Sequence, residues 1–181
     1  MPAMTDKHWA LIHAAGGDPD RLFAELTPLS TEELMDFGRA YYEALIELNR
    51  WEIWGAGFVM GRSQGWWMSD DAFHYFRSWI IGHGKAAYDI ALSSPDDLGQ
   101  FYGGEEDEFD NELLEYVVID VLEERGVEDD PRDTVDGDAD GTPRAQNMTR
   151  TRCMRSSPSW RRSSRRWKPS RSNLRPRDPV T

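Results

Sequence analysis

Asp70, Asp71, His74 and Arg77 place two carboxylates, an imidazole and a guanidinium within eight residues. Such a set can bind an anionic or polar ligand, or serve a hydrolytic pocket. The spacing predicts a helix from Asp70 to Ile81. Projected at about 100° per residue, Phe73, Phe76 and Ile80 form its core stripe, and Arg77 falls inside or beside that stripe. A guanidinium there needs carboxylates, because an unpaired buried charge is expensive. Asp70 (two turns earlier on the same side), Asp71 and Glu52 are the expected partners. In the structural reading the two aspartates favour the helix N-terminus and Arg77 ties helices together. In the functional reading all four side chains wall a ligand-binding or hydrolytic pocket. The structural reading is the more economical.

Other chemistry finds less support. No nucleophile stands with a base, no glycine-rich phosphate loop occurs, and no catalytic residue is assigned. His8 and His13, or His74 and His83, lack the i, i+4 spacing that sets two imidazoles on one helix face. Asp136, Asp138, Asp140 and Gly141 match the opening of a calcium loop, but Pro143 takes the usually apolar eighth position and Asn147 the place of the bidentate glutamate. No metal and no cofactor are expected. The single cysteine, Cys153, excludes an intrachain disulfide and a multi-cysteine zinc site.

The charge reverses near Gly141. Through Asp140 there are 32 Asp or Glu against 9 Lys or Arg, a balance of −23; from Gly141 to Thr181 there are 1 against 12, a balance of +11. After Val127 the chain turns to Asp, Pro, Gly and Thr, then to Arg, Ser and Trp. A segment of that composition lacks the apolar surface to offset its ordering entropy. We expect a helical domain over 1–126 and a disordered acidic linker and Arg/Ser-rich tail over 127–181. A competing account of the tail is an out-of-frame reading. Moving Met154–Ser170 two bases forward through GC-rich codons gives a run of alanine, glutamate and leucine, all strong helix formers. If the tail is genuine, Trp160, Arg161, Arg162, Arg165, Arg166 and Trp167 can contact nucleic acid or a membrane surface.

The elements that position these residues read as helices nearly throughout, so the fold class is all-α: a compact multi-helix single domain. Thr5 or Asp6 caps a first helix that Gly16 and Gly17 close, and a short helix follows Asp18 and Pro19. Ser30 to Glu33 form a capping box for a long helix through Leu34, Phe37, Tyr41, Leu45 and Leu48, which continues or bends near Asn49. Trp51, Trp54, Phe58 and Val59 follow up to Gly61. Further helices are expected from Ser69 to Gly82 or Gly84 and from Lys85 to Leu92. The last, from roughly Phe109 to Arg125, carries Leu113, Tyr116, Val117, Ile119, Val121 and Leu122 and has Gly126 as its C-cap. Most of the tryptophans are expected in the core, whereas Trp66 and Trp67 fall in a connection and are expected to be exposed. No apolar run is long enough to span a bilayer and no secretory signal opens the chain, so a cytoplasmic location is expected.

Arg50, Trp51, Glu52, Ile53, Trp54, Gly55 and Ala56, followed by Ser69 to Ile81 with its Phe73-x-x-Phe76-Arg77-x-Trp79 run, resemble a bacterial domain-of-unknown-function family, number 4240. Gly84 to Ala87, Ser94 to Leu98 and Glu115 to Gly126 resemble its later blocks, so the resemblance covers roughly Trp9 to Gly126. Glu52 stands where aspartate is usual, and Gly65 to Met68 where a short glycine-rich turn is usual. The resemblance implies a fold and leaves activity open. The resulting expectation is a small acidic helical module for protein interaction or regulation, with an immunity-like role among the options, whose partner is a protein with a basic surface. Arg50, Trp51, Glu52, Trp54, Asp70, Asp71, His74 and Arg77 are its candidate interaction or ligand site. The alternative is the pocket around Asp70, Asp71, His74 and Arg77.

Overall fold

The computed structural model describes residues 4–63, 65, 67–104, 109–137, 139 and 141–144. Among these residues lie seven α-helices: α1 Asp6–Ala15, α2 Pro19–Leu26, α3 Thr31–Leu48, α4 Trp51–Ser63, α5 Asp70–Gly82, α6 Lys85–Ser93 and α7 Glu112–Glu124. Two 3₁₀ helices, Pro95–Phe101 and Pro131–Thr134, complete the set, and the fold is all-α as expected. None of these helices is long and apolar enough to cross a membrane.

Local chemistry sets the helix ends. Thr5 Oγ1 accepts the amide of His8 at 3.3 Å while His8 Nδ1 accepts that of Thr5 at 3.4 Å, a capping box with histidine in the place of glutamate. Asp18 caps α2 ahead of Pro19, and Ser30 and Glu33 exchange hydrogen bonds at the start of α3. Lys7 reaches across to Glu33 at 2.6 Å, and that hydrogen bond, with those from Ser30, holds the Glu33 carboxyl down at about 2. The chain leaves α3 at Asn49, so of the two courses expected there, continuation or a bend, it takes the break into two helices.

α3 is the centre of the packing and contacts α5, α6 and α7; α1 and α2 form a pair with α2 against α7, and α6 lies on the first 3₁₀ helix. Phe37, Tyr41, Leu45 and Leu48 of α3, Phe76 and Ile80 of α5, and Val118 and Leu122 of α7 are buried. Phe76 and Trp79 stack at 5.5 Å, and Phe109 meets Trp79 edge-on at 5.6 Å.

Two expectations require correction. The last helix begins at Glu112, and its apolar residues are only in part its buried face: Val117, Val121 and Leu122 are buried. Leu113 is 67% and Tyr116 37% exposed, whereas Leu114, Glu115 and Val118 are buried. The successive apolar residues Leu113 and Leu114 leave the helix phase open, and packing buried Leu114. Phe109 lies outside the helix and packs on Tyr102 and Trp79.

The packed chain also continues beyond Gly126, where the domain was expected to end. Pro131 is buried against Gly38 of α3, where an added Cβ would come within 2.6 Å of the proline ring. Val127 and Val135 pack on the core, and Gly137 lies over Ile46. Arg144 pairs with the α3–α4 break, donating to Asn49 O at 2.8 Å and accepting from Trp51 N at 3.2 Å. A few well-placed apolar anchors hold a stretch whose overall composition reads as linker. Residues 145–181, with Cys153, the Arg/Trp cluster and the reading-frame question, lie outside the described residues, as do Trp66, Asp138 and Asp140.

Candidate functional site

The site is built on the α3–α4 break. The last four carbonyls of α3 have no intrahelical partner once the chain leaves the helix. Each finds a donor. Arg77 NH1 reaches Leu45 O at 3.0 Å, Asn49 N reaches Ile46 O at 3.2 Å, Arg50 Nε reaches Glu47 O at 2.9 Å and Arg50 N reaches Leu48 O at 2.8 Å. Two of these donors are guanidinium groups, which also oppose the negative end of the helix dipole. Arg50 is thus occupied at the end of α3, with a further contact to Glu47 Oε1 at 3.4 Å.

α5 enters beneath this break. Ser69 Oγ accepts from Ala72 N at 3.1 Å and starts the helix, with Asp70 and Asp71 exposed in its first turn. Arg77 is 2% exposed and lies 5.1 Å over the Phe73 ring. Its NH2 donates to His74 Nδ1 at 2.8 Å. A guanidinium cannot accept, so in this arrangement the imidazole proton is on Nε2, which faces Glu115 Oε2 in a short contact. Glu115 is buried on α7, and its main-chain carbonyl accepts from Tyr42 Oη at 2.9 Å. The sequence Leu45 carbonyl, Arg77, His74, Glu115 thereby ties α3, α5 and α7 together.

The counterions expected for Arg77 are different. Neither Asp70, Asp71 nor Glu52 pairs with it in the structure. Seven residues of helix separate Asp70 from Arg77, about 10 Å of rise, and the aspartates stay in solvent at the helix N-terminus. Glu52, on α4, is half-buried, and its Oε2 has no hydrogen-bond partner among the described residues. The carboxylate reached through His74 is Glu115. It sits on the stripe Glu115, Val118, Leu122, a charge intruding on an apolar face as Arg77 does on α5, and that pair of intrusions was the available signal.

Above this buried chain of hydrogen bonds lies a cleft of about 630 Å³. Six of the eight candidate residues line it: Trp51, Trp54, Asp70, Asp71, His74 and Arg77. Arg50 and Glu52 do not. Tyr42, Asn49, Glu115, Tyr116 and Arg132 join the lining without having been expected there, and Val135, Gly137, Ala139, Gly141, Thr142 and Pro143 supply a wall. Asn49 Nδ2 donates to Gly141 O at 2.8 Å and fixes that wall to the helix break.

The charges in the cleft are unequal in availability. Arg132 is engaged by Asp130 at 2.6 Å, and that hydrogen bonding lowers the Asp130 carboxyl while raising the guanidinium. Burial, with Glu115 nearby, pushes the Tyr42 phenol far above its ordinary range. A hydrogen bond to Glu112, 3.0 Å away, raises Tyr75 to about 12. Asp70 and Asp71 make no ion pair with any described residue. They stand in a cleft that also holds the rings of Trp51, Trp54 and Tyr116, the first two 5.6 Å apart. Among the described residues no group of three His, Cys, Asp or Glu side chains is arranged to hold a metal ion.

The fold and cleft define an all-helical domain with an acidic, aromatic-walled cavity over a buried Arg-His-Glu chain. The chain belongs to the family described as a protein of unknown function (DUF4240), whose model matches residues 4–124. The match ends before Arg132 and the wall residues Val135, Gly137, Ala139 and Gly141 to Pro143. Comparison with curated proteins and with solved structures found no match.

Proposed function

We propose that this domain is a non-catalytic binding module whose cleft receives a cationic side chain, lysine or arginine, from a protein partner with a basic surface. The observation that carries this reading is the pair Asp70 and Asp71, without ion-pair partners among the described residues, in one cleft with Trp51, Trp54 and Tyr116. A cation over an aromatic face gains about 0.5 to 2 kcal/mol, depending on desolvation. An ion pair to carboxylates as exposed as these adds up to about 1 kcal/mol. The −23 balance through Asp140 draws a basic surface toward the cleft from a distance. The hydrolytic alternative has less support, because both ring nitrogens of His74 are already engaged.

Calorimetric titration with an arginine-rich peptide tests this. The chain's own Arg-rich tail is a competitor, so the peptide is titrated into the full chain and into one ending at Arg144. Binding that weakens with salt and falls several-fold in Asp70→Asn/Asp71→Asn is the expected result. Equal binding of a glutamate-rich peptide, or indifference to both salt and the double substitution, would sink the proposal.

A further inference from the structure

α4 is apolar on two faces, and among the described residues the fold buries one of them fully and the other by half. Ile53, Ala56 and Gly57 turn inward and are buried, with Gly57 so close to Phe76 that a Cβ would lie 2.8 Å from its ring. Trp51, Trp54 and Phe58 recur at i, i+3 and i+7 on the other side and are only half-buried. Trp67, 74% exposed, meets Phe58 edge-on at 5.6 Å and lengthens this stripe. The helix holds two charged residues, Glu52 and Arg62, and only Arg62 falls on the outward arc, at its far end. A helix apolar all round belongs in an interior, and a half-covered apolar stripe that ends in an exposed tryptophan marks an interaction surface.

We infer that the outward face of α4 is a docking surface for an amphipathic helix of a partner protein, with a lysine or arginine of that helix entering the cleft at Asp70 and Asp71. This rests on the cationic reading of the cleft and adds the form of the partner. Trp51 and Trp54 belong to both the cleft and the stripe, so the apolar surface runs directly into the acidic site. From Trp51 to Arg62 the face is about 16 Å long, three turns, the footprint of a helix read through i, i+3, i+4 and i+7 anchors. A second copy of the chain is the poorer occupant, since it would bring two chains of net charge −12 together.

The test uses the full chain and two synthetic amphipathic helices of about four turns, one of leucine and lysine and one of leucine and glutamate. Binding is read by tryptophan fluorescence and calorimetry, and circular dichroism verifies the fold of each variant. The leucine/lysine helix is expected to bind at least roughly tenfold tighter than the leucine/glutamate helix. Phe58→Glu, and separately Trp67→Ser at the most exposed position, are expected to weaken it by about tenfold, the scale of an interface anchor. Asp70→Asn/Asp71→Asn should weaken it several-fold. If neither Phe58→Glu nor Trp67→Ser alters the affinity while the double Asp substitution does, the docking surface is refuted and the cleft reading stands. If the stripe variants abolish binding and the double Asp substitution has no effect, the cationic reading fails, and the basic occupant with it. A dimer in sedimentation that Phe58→Glu dissociates would assign the face to a second copy and overturn the inference.

Discussion

Arg77→Ala removes the side chain on which three helices converge, and its cost can be worked from the contacts. The guanidinium is 2% exposed, donates to Leu45 O at 3.0 Å and His74 Nδ1 at 2.8 Å, and lies over Phe73. Each hydrogen bond from a charged donor contributes about 1.5 to 3 kcal/mol. Truncation leaves the Leu45 carbonyl and His74 Nδ1 without those donors and opens a void along the arginine stem. A loss of about 3 to 5 kcal/mol is expected, the range for breaking a buried charged contact. With a urea dependence near 2 kcal/mol/M, the denaturation midpoint should fall by roughly 1.5 to 2.5 M. Arg77→Lys keeps the charge near the end of α3 but has no planar fork to serve two acceptors on different helices, so it should recover only part of the loss. Urea titration of the full chain, followed by circular dichroism and tryptophan fluorescence, is the assay. A midpoint in Arg77→Ala within about 0.3 M of the unchanged protein would refute the structural role and leave ligand contact as the explanation of this arginine.

The wall beyond Gly126 makes a second test. A chain ending at Gly126 should be less stable than one ending at Arg144 by about 2 to 4 kcal/mol, from the lost burial of Pro131 and Val135; equal melting of the two would restore the boundary read from composition. His8 gives a pH test. Burial lowers its pKa from 6.5 despite the attraction of Asp36, so its contribution to stability is present above 6.5 and is lost as pH falls through the folded value. Thermal melts from pH 8 to 5 should show a decline that His8→Gln reduces, and an identical decline in the variant would remove His8 as its cause.

What the sequence determined by itself is local. Thr5, Asp18, Ser30 and Ser69 stand ahead of apolar periodicity, and each caps the helix expected of it, because a capping hydrogen bond spans only three residues of chain. Arg77 on the Phe73, Phe76, Ile80 stripe was legible as a buried charge for the same reason: helix geometry fixes which side chains share a face. The tertiary structure decided what that charge meets. Leu45 O is available only because α3 stops at Asn49, and a main-chain carbonyl carries no sequence signal. Glu115 became the end of the hydrogen-bond chain because packing set the phase of α7, which Leu113-Leu114 left open. The wall anchored by Pro131 and Arg144 was hidden from composition because a few contacts hold it: a proline over Gly38 and main-chain bonds at the helix break. Contacts of that kind depend on two distant segments meeting, and no local pattern in either segment records the meeting.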